Sequence, residues 1–154
     1  MTTRSVAQGT FTIERRYDAA AARVFRAWAR ADQKLQWFAC HEEWKVSEHL
    51  FDFRPGGRER VVTGPAGGAP HRFEARYHDI VEGERIVYSY EMWIGEQLIS
   101  VSVATVEFFA EGTQTRLRMT EQGAYLDGLS TNAEREEGTA VGLDGFAHWL
   151  ARTA

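Results

Sequence analysis

The sequence predicts a single-domain α+β protein in which a long C-terminal helix lies in a curved antiparallel sheet, leaving an apolar cavity for a small ligand. Three observations predict it. Trp44 to Glu121 is a succession of β-rich runs broken by glycine-containing turns. Thr131-Asn132-Ala133-Glu134 has capping-box spacing ahead of a helical stretch, and Gly138, Gly142 and Gly145 lie along one face of that stretch.

The elements follow in order. Gly9 to Tyr17 reads as a first strand, after which Asp18 can cap a helix through Ala22, Val24, Phe25 and Trp28. Asp32 is the natural cap of a second short helix, whose end is crowded by Leu35, Trp37 and Phe38 before the polar corner Cys40-His41-Glu42-Glu43. Six further strands are expected near 44–53, 58–63, 71–80, 85–92, 98–109 and 114–121, separated by Pro55-Gly56-Gly57, Gly64 to Pro70, Glu82-Gly83, Gly95 and Gly112. With the first they make a seven-stranded sheet, and the two short helices fall between strands one and two. The final helix runs to about Ala151 and, at ~1.5 Å per residue, forms a rod of about 30 Å, enough to span the sheet of a small domain.

The 154 residues fit one domain over 1–154, and 44% hydrophobic with 26% charged residues is an ordinary globular balance. The net charge of −4 arises from 22 acids and 18 bases spread over most of the chain, so no basic block is present to neutralise many phosphates, and nucleic acid is not an expected partner. No apolar run approaches the ~18 to 20 residues needed to cross a bilayer, and Met1 to Gln8 lacks the apolar centre of a signal peptide. The lone Cys40 has no partner for an internal disulfide, so a cytoplasmic location is expected, and a homodimer is compatible with the sequence.

The chemistry centres on the final helix. Leu143, Phe146 and Leu150 form an apolar stripe, with the three glycines on an adjoining face. A glycine inside a helix costs about 1 kcal/mol against alanine, so the face serves either close packing of helix on strand or room for a ligand. On the expected fifth strand Ile86, Tyr88, Tyr90 and Met92 share one face, as do Thr115, Leu117, Met119 and Glu121 on the last; both faces are expected to look toward the helix. Tyrosine joins an apolar ring to a polar tip and methionine fits irregular shapes, so these side chains suit a pocket or a core. Glu121 is the odd member, an inward-phase carboxylate at a strand end, expected to reach solvent. Trp37 and Phe38 set bulky rings beside a polar corner, either as an entrance or as anchors of the short helix. The candidate cavity set is therefore Trp37, Phe38, Tyr77, Tyr88, Tyr90 and Met92, with Leu117, Met119, Glu121, Gly142, Gly145 and Phe146. No cofactor, metal or catalytic set is expected: His41, His49, His71, His78 and His148 lack HExxH spacing, Cys40-His41 is too short a signal, and no G-x-S-x-G or Walker loop occurs.

A resemblance covers nearly the whole chain. It rests on Phe11 to Tyr17 with Val24-Phe25-Arg26-Ala27-Trp28, on Gln36-Trp37-Phe38, and on Asp52-Phe53-Arg54-Pro55-Gly56-Gly57. It continues through Asp79-Ile80-Val81, Arg85-Ile86-Val87-Tyr88, Thr115-Arg116-Leu117 and Thr120-Glu121-Gln122-Gly123. On these residues the chain resembles the single-domain proteins similar to the C-terminal domain of the activator of heat-shock protein 90 ATPase, within the START/polyketide-cyclase-like (SRPBCC) superfamily. The resemblance implies a helix-grip fold with a deep cavity between sheet and last helix. It departs from the pattern at Gly138, which is followed by Thr139 where the family often has tryptophan.

The superfamily includes ligand carriers, cyclases, hydrolases and co-chaperone domains, so fold alone does not assign an activity. The leading expectation is a binding protein for a small apolar or aromatic molecule. The alternatives are a cyclase- or hydrolase-type enzyme using Tyr or Glu for proton transfer, and a chaperone-associated stress protein.

Overall fold

A computed structural model describes residues 3–38 and 44–153. The chain runs β1 (Val6–Tyr17), α1 (Ala21–Ala29), α2 (Ala31–Trp37), β2 (Glu48–Phe51), β3 (Arg58–Thr63), β4 (His71–Val81), β5 (Arg85–Ile94), β6 (Gln97–Glu111), β7 (Gln114–Leu126) and α3 (Asn132–Arg152). One antiparallel sheet orders the strands β1-β7-β6-β5-β4-β3-β2, so the helix-grip α+β architecture is as expected. Register irregularities bend β4 at His78 and β6 at Ile99, each an extra residue facing one fewer on β5, which increases local twist and curvature.

Several boundaries differ from expectation. Helix α1 is preceded by Ala20 with no side-chain cap; the helix starts later than Asp18 foresees, and the Ala20 carbonyl accepts from the Arg23 and Val24 amides, each at 3.0 Å. Only Arg30 separates the two short helices, so it takes the cap position of α2, and Asp32 falls inside the first turn, where its carboxylate accepts from Arg30 Nε at 3.2 Å. Strand β2 covers four residues, since the chain turns at Asp52, whose amide donates to the Arg58 carbonyl at 2.9 Å. That turn needs Gly57: a Cβ there would lie 2.0 Å from the Asp52 carbonyl oxygen. Strand β7 passes through Gly123 to Leu126, five residues beyond its expected end.

The cap of α3 forms as expected, with the Thr131 side chain accepting from the Glu134 amide at 3.1 Å. Leu143, Phe146, Trp149 and Leu150 are buried on this helix. Phe146 is the hub of the core: its ring centroid lies 5.0 Å from Tyr17, 4.6 Å from Trp37 and 6.2 Å from Trp28. These edge-on and tilted contacts tie both short helices and β1 to α3, and contribute beyond the area they bury. No described helix is long and apolar enough to cross a membrane.

Candidate functional site

Because α3 meets the sheet chiefly through its Leu143–Leu150 stripe, its adjoining face stands off and a recess of about 680 Å³ opens there. Trp28 of α1 and Trp37 with Phe38 at the end of α2 supply aromatic lining, joined by Phe73 of β4 and by Tyr88 and Tyr90 of β5. Met92 and Met119 add polarizable, adaptable surface. Gly138, Gly142 and Gly145 all line the recess, and a Cβ built on any of them would meet no atom within 4 Å. Close helix-on-strand packing therefore does not explain these glycines; they leave space.

The polar groups gather round Glu121. It is buried rather than solvent-exposed, because β7 continues to Leu126 and places it mid-strand, between Phe11 of β1 and Ala104 of β6. The Tyr90 hydroxyl donates to its Oε1 in a very short hydrogen bond. Arg135 of α3 donates from Nη1 to the Tyr90 oxygen at 2.8 Å and from Nη2 to Ser100 Oγ at 2.7 Å, and its guanidinium lies 5.5 Å from the ring centroids of Tyr90 and Tyr125. Burial pushes the Glu121 carboxyl up, outweighing the Tyr90 hydrogen bond and the Arg135 charge, which pull the other way. Burial and the adjacent carboxylate together raise the Tyr90 phenol. Trp28 Nε1 is buried without an acceptor among the described residues.

Three residues of the expected set lie outside this lining. Leu117 and Phe146 are fully buried in the core. Tyr77 belongs to a separate buried cluster: Lys34 Nζ lies 2.6 Å from Glu59 Oε1 and 3.2 Å from the Tyr77 oxygen, the Tyr77 hydroxyl donates to Glu59 at 2.7 Å, and His49 Nε2 lies 3.1 Å from Glu59 Oε2. Burial pushes the Glu59 carboxyl up, but the Lys34 ammonium and the His49, Lys34 and Tyr77 hydrogen bonds more than cancel it, so the group is held below the usual carboxylate range. Trp37 lines the recess yet is 6% exposed, with Nε1 donating to the Ala27 carbonyl at 2.9 Å, whereas Phe38 is only partly buried. Cys40 and His41 lie outside the described residues.

Arg135 was not foreseen as a site residue, although its position carries a signal. It stands three residues before Gly138, so the spacing that aligns the glycines aligns Arg135 with them. Trp149 likewise extends the apolar stripe from Phe146, and its Nε1 donates to Gln36 Oε1 at 2.8 Å.

Comparison with known proteins supports the same architecture. Nothing matched among proteins with curated descriptions. A solved structure from Rhizobium leguminosarum is 47% identical, with a TM-score of 0.93 over 98% of this chain and 99% of its own. One from Rhizobium loti is 43% identical, with a TM-score of 0.88 over 94% and 99% of the two chains. The solution structure of an AHSA1-like protein from Aeromonas hydrophila has the same fold, at 21% identity and a TM-score of 0.73 over 94% and 93%. The family model for Activator of Hsp90 ATPase homolog 1-like protein matches residues 18–154, which include every quoted motif but Phe11 to Tyr17, and the chain belongs to that family.

Proposed function

We propose that the protein binds a small apolar or aromatic molecule in the recess between the sheet and α3. The observation that carries this reading is the glycine face: three helical glycines border open space opposite a lining rich in aromatic and methionine side chains. Glycine in a helix is unfavourable, and a recess of about 680 Å³ falls in the range of small-molecule sites, ~300 to 1,000 Å³. The proposed site comprises Trp37, Phe38, Tyr88, Tyr90, Met92, Met119, Glu121, Gly142 and Gly145, with Arg135 and Trp28 added. A cytoplasmic setting goes with it, supported by the lone cysteine.

Titration with the neutral fluorescent probe N-phenylnaphthylamine tests the reading, alongside native mass spectrometry of the purified protein for a retained metabolite. Saturable binding at one site per chain, lost in Gly142→Leu/Gly145→Leu, is the expected result. Binding unchanged in that variant would place the ligand elsewhere and overturn the assignment.

A further inference from the structure

We infer that the ligand is an amphiphilic carboxylic acid, its apolar or aryl body against the aromatic lining and its carboxylate on Arg135. This rests on the recess being the ligand site and names the chemistry that site selects.

The first argument is the state of Arg135. Its two hydrogen-bond partners, Tyr90 and Ser100, are both neutral. Among the described residues no carboxylate stands in ion-pair contact with it, whereas Arg116 and Arg118 of β7 pair with Glu14 and Glu107 at 2.9 Å. A guanidinium has five N–H donors in a rigid fork, so after these two bonds Arg135 keeps donors to offer in the plane suited to a carboxylate. Tyr90 and Ser100 hold that fork in place, which lowers the entropy lost on binding an anion.

The second argument is charge. The chain carries −4 overall, yet the described lining bears Arg135 and Arg152 against the single acid Glu121, with His71 and His148 beside them. Among the described residues the lining thus carries the sign opposite to that of the chain, which favours entry of an anion. Trp28 adds a buried N–H without an acceptor among the described residues, weighting the free hydrogen-bonding groups further toward donors. Glu121 opposes this only when ionised. Tyr90 already donates to it, and a bound carboxylate at Arg135 favours the protonated form of Glu121.

The test compares phenylbutanoate with its neutral isostere phenylbutanol, each displacing N-phenylnaphthylamine at neutral pH. The acid is expected to bind about tenfold or more tightly than the alcohol, as one charge-assisted contact implies. Arg135→Gln should abolish that preference, Arg135→Lys should retain part of it, and Glu121→Gln should strengthen acid binding severalfold. Equal displacement by acid and alcohol overturns the inference, as does a preference that survives in Arg135→Gln. If Arg135→Gln does not fold, the parent comparison and Arg135→Lys decide. Failure of the neutral probe itself to bind would remove the recess reading and this inference together; a bound probe with no preference for the acid removes this inference alone.

Discussion

Replacing Gly142 and Gly145 separates stability from binding, because the two should move in opposite directions. Both lie inside α3, remote from its ends, and neither has an atom within 4 Å of a built Cβ, so alanine enters without a clash. Alanine then gains its helix propensity over glycine, about 1 kcal/mol at each site. The double alanine variant should be more stable by about 2 kcal/mol, a rise in Tm of roughly 4 to 8 °C for a domain of this length. Leucine is nearly as good a helix former, so Gly142→Leu/Gly145→Leu should also be stabilised, while its eight added carbons occupy the recess and displace the probe. Urea unfolding and thermal melts read the first effect; fluorescence titration reads the second. A loss of stability in the alanine variant would mean that the space is filled in solution, and the reasoning would fail.

Four further outcomes follow from the geometry. Glu59→Gln leaves the Lys34 ammonium buried among neutral partners, the new amide, the Tyr77 hydroxyl and the surrounding aromatic rings, of which Phe38 lies 4.4 Å away at its centroid, and should cost about 3 to 5 kcal/mol in urea unfolding, whereas an apolar replacement of both partners should cost far less. Because the Glu59 carboxyl is depressed in the folded state, its stabilisation is present above its unfolded pKa and is lost as pH falls through the folded value; acid unfolding of Glu59→Gln should lack that loss. Phenylbutanoate affinity should fall as pH rises through the titration of Glu121, which is faced by Tyr88 and Tyr90 from β5, Arg135 from α3 and Tyr125 on its own strand; a slope unchanged in Glu121→Gln would assign it to another group and refute this reading. Trp37→Ala should cost about 3 to 5 kcal/mol and Phe38→Ala less, matching their burial; large losses with unchanged probe on-rates would exclude an entrance role for either ring.

The strands were legible because glycine turns and period-two alternation are local signals; β3 spans 58–63 in both the reading and the structure. Glu121 shows where local signals stop. Its inward phase was readable, but its burial depends on β7 continuing through Gly123 opposite Gly9, a pairing made across most of the chain. Read as a breaker, Gly123 makes Glu121 a strand end; read as a ladder residue, it makes Glu121 interior. The Lys34–Glu59 pair was invisible for a related reason, since each residue looks like ordinary surface charge and only the packing of α2 on β3 joins them. Arg135 lay in the correct phase with the glycines, but nothing in the sequence tells which of the many arginines makes no ion-pair contact among the described residues.

The position of β1 beside β7 bears on how the molecule is assembled. Every other neighbouring pair in the sheet is consecutive in the chain, whereas β1 pairs with β7 across separations from 98 positions (Tyr17 to Thr115) to 120 (Val6 to Leu126). Strands β2 to β7 can zip up through short turns as each emerges during synthesis, but β1, made before them, must wait for β7. Non-local pairings of this kind slow folding because chain entropy is lost before contacts repay it. Until β7 is complete, Phe11 and Ile13 have no strand to cover them. The nascent chain therefore carries β1 as an unpaired, partly apolar strand until β7 follows, and the interval before β1 docks is when aggregation competes best with folding.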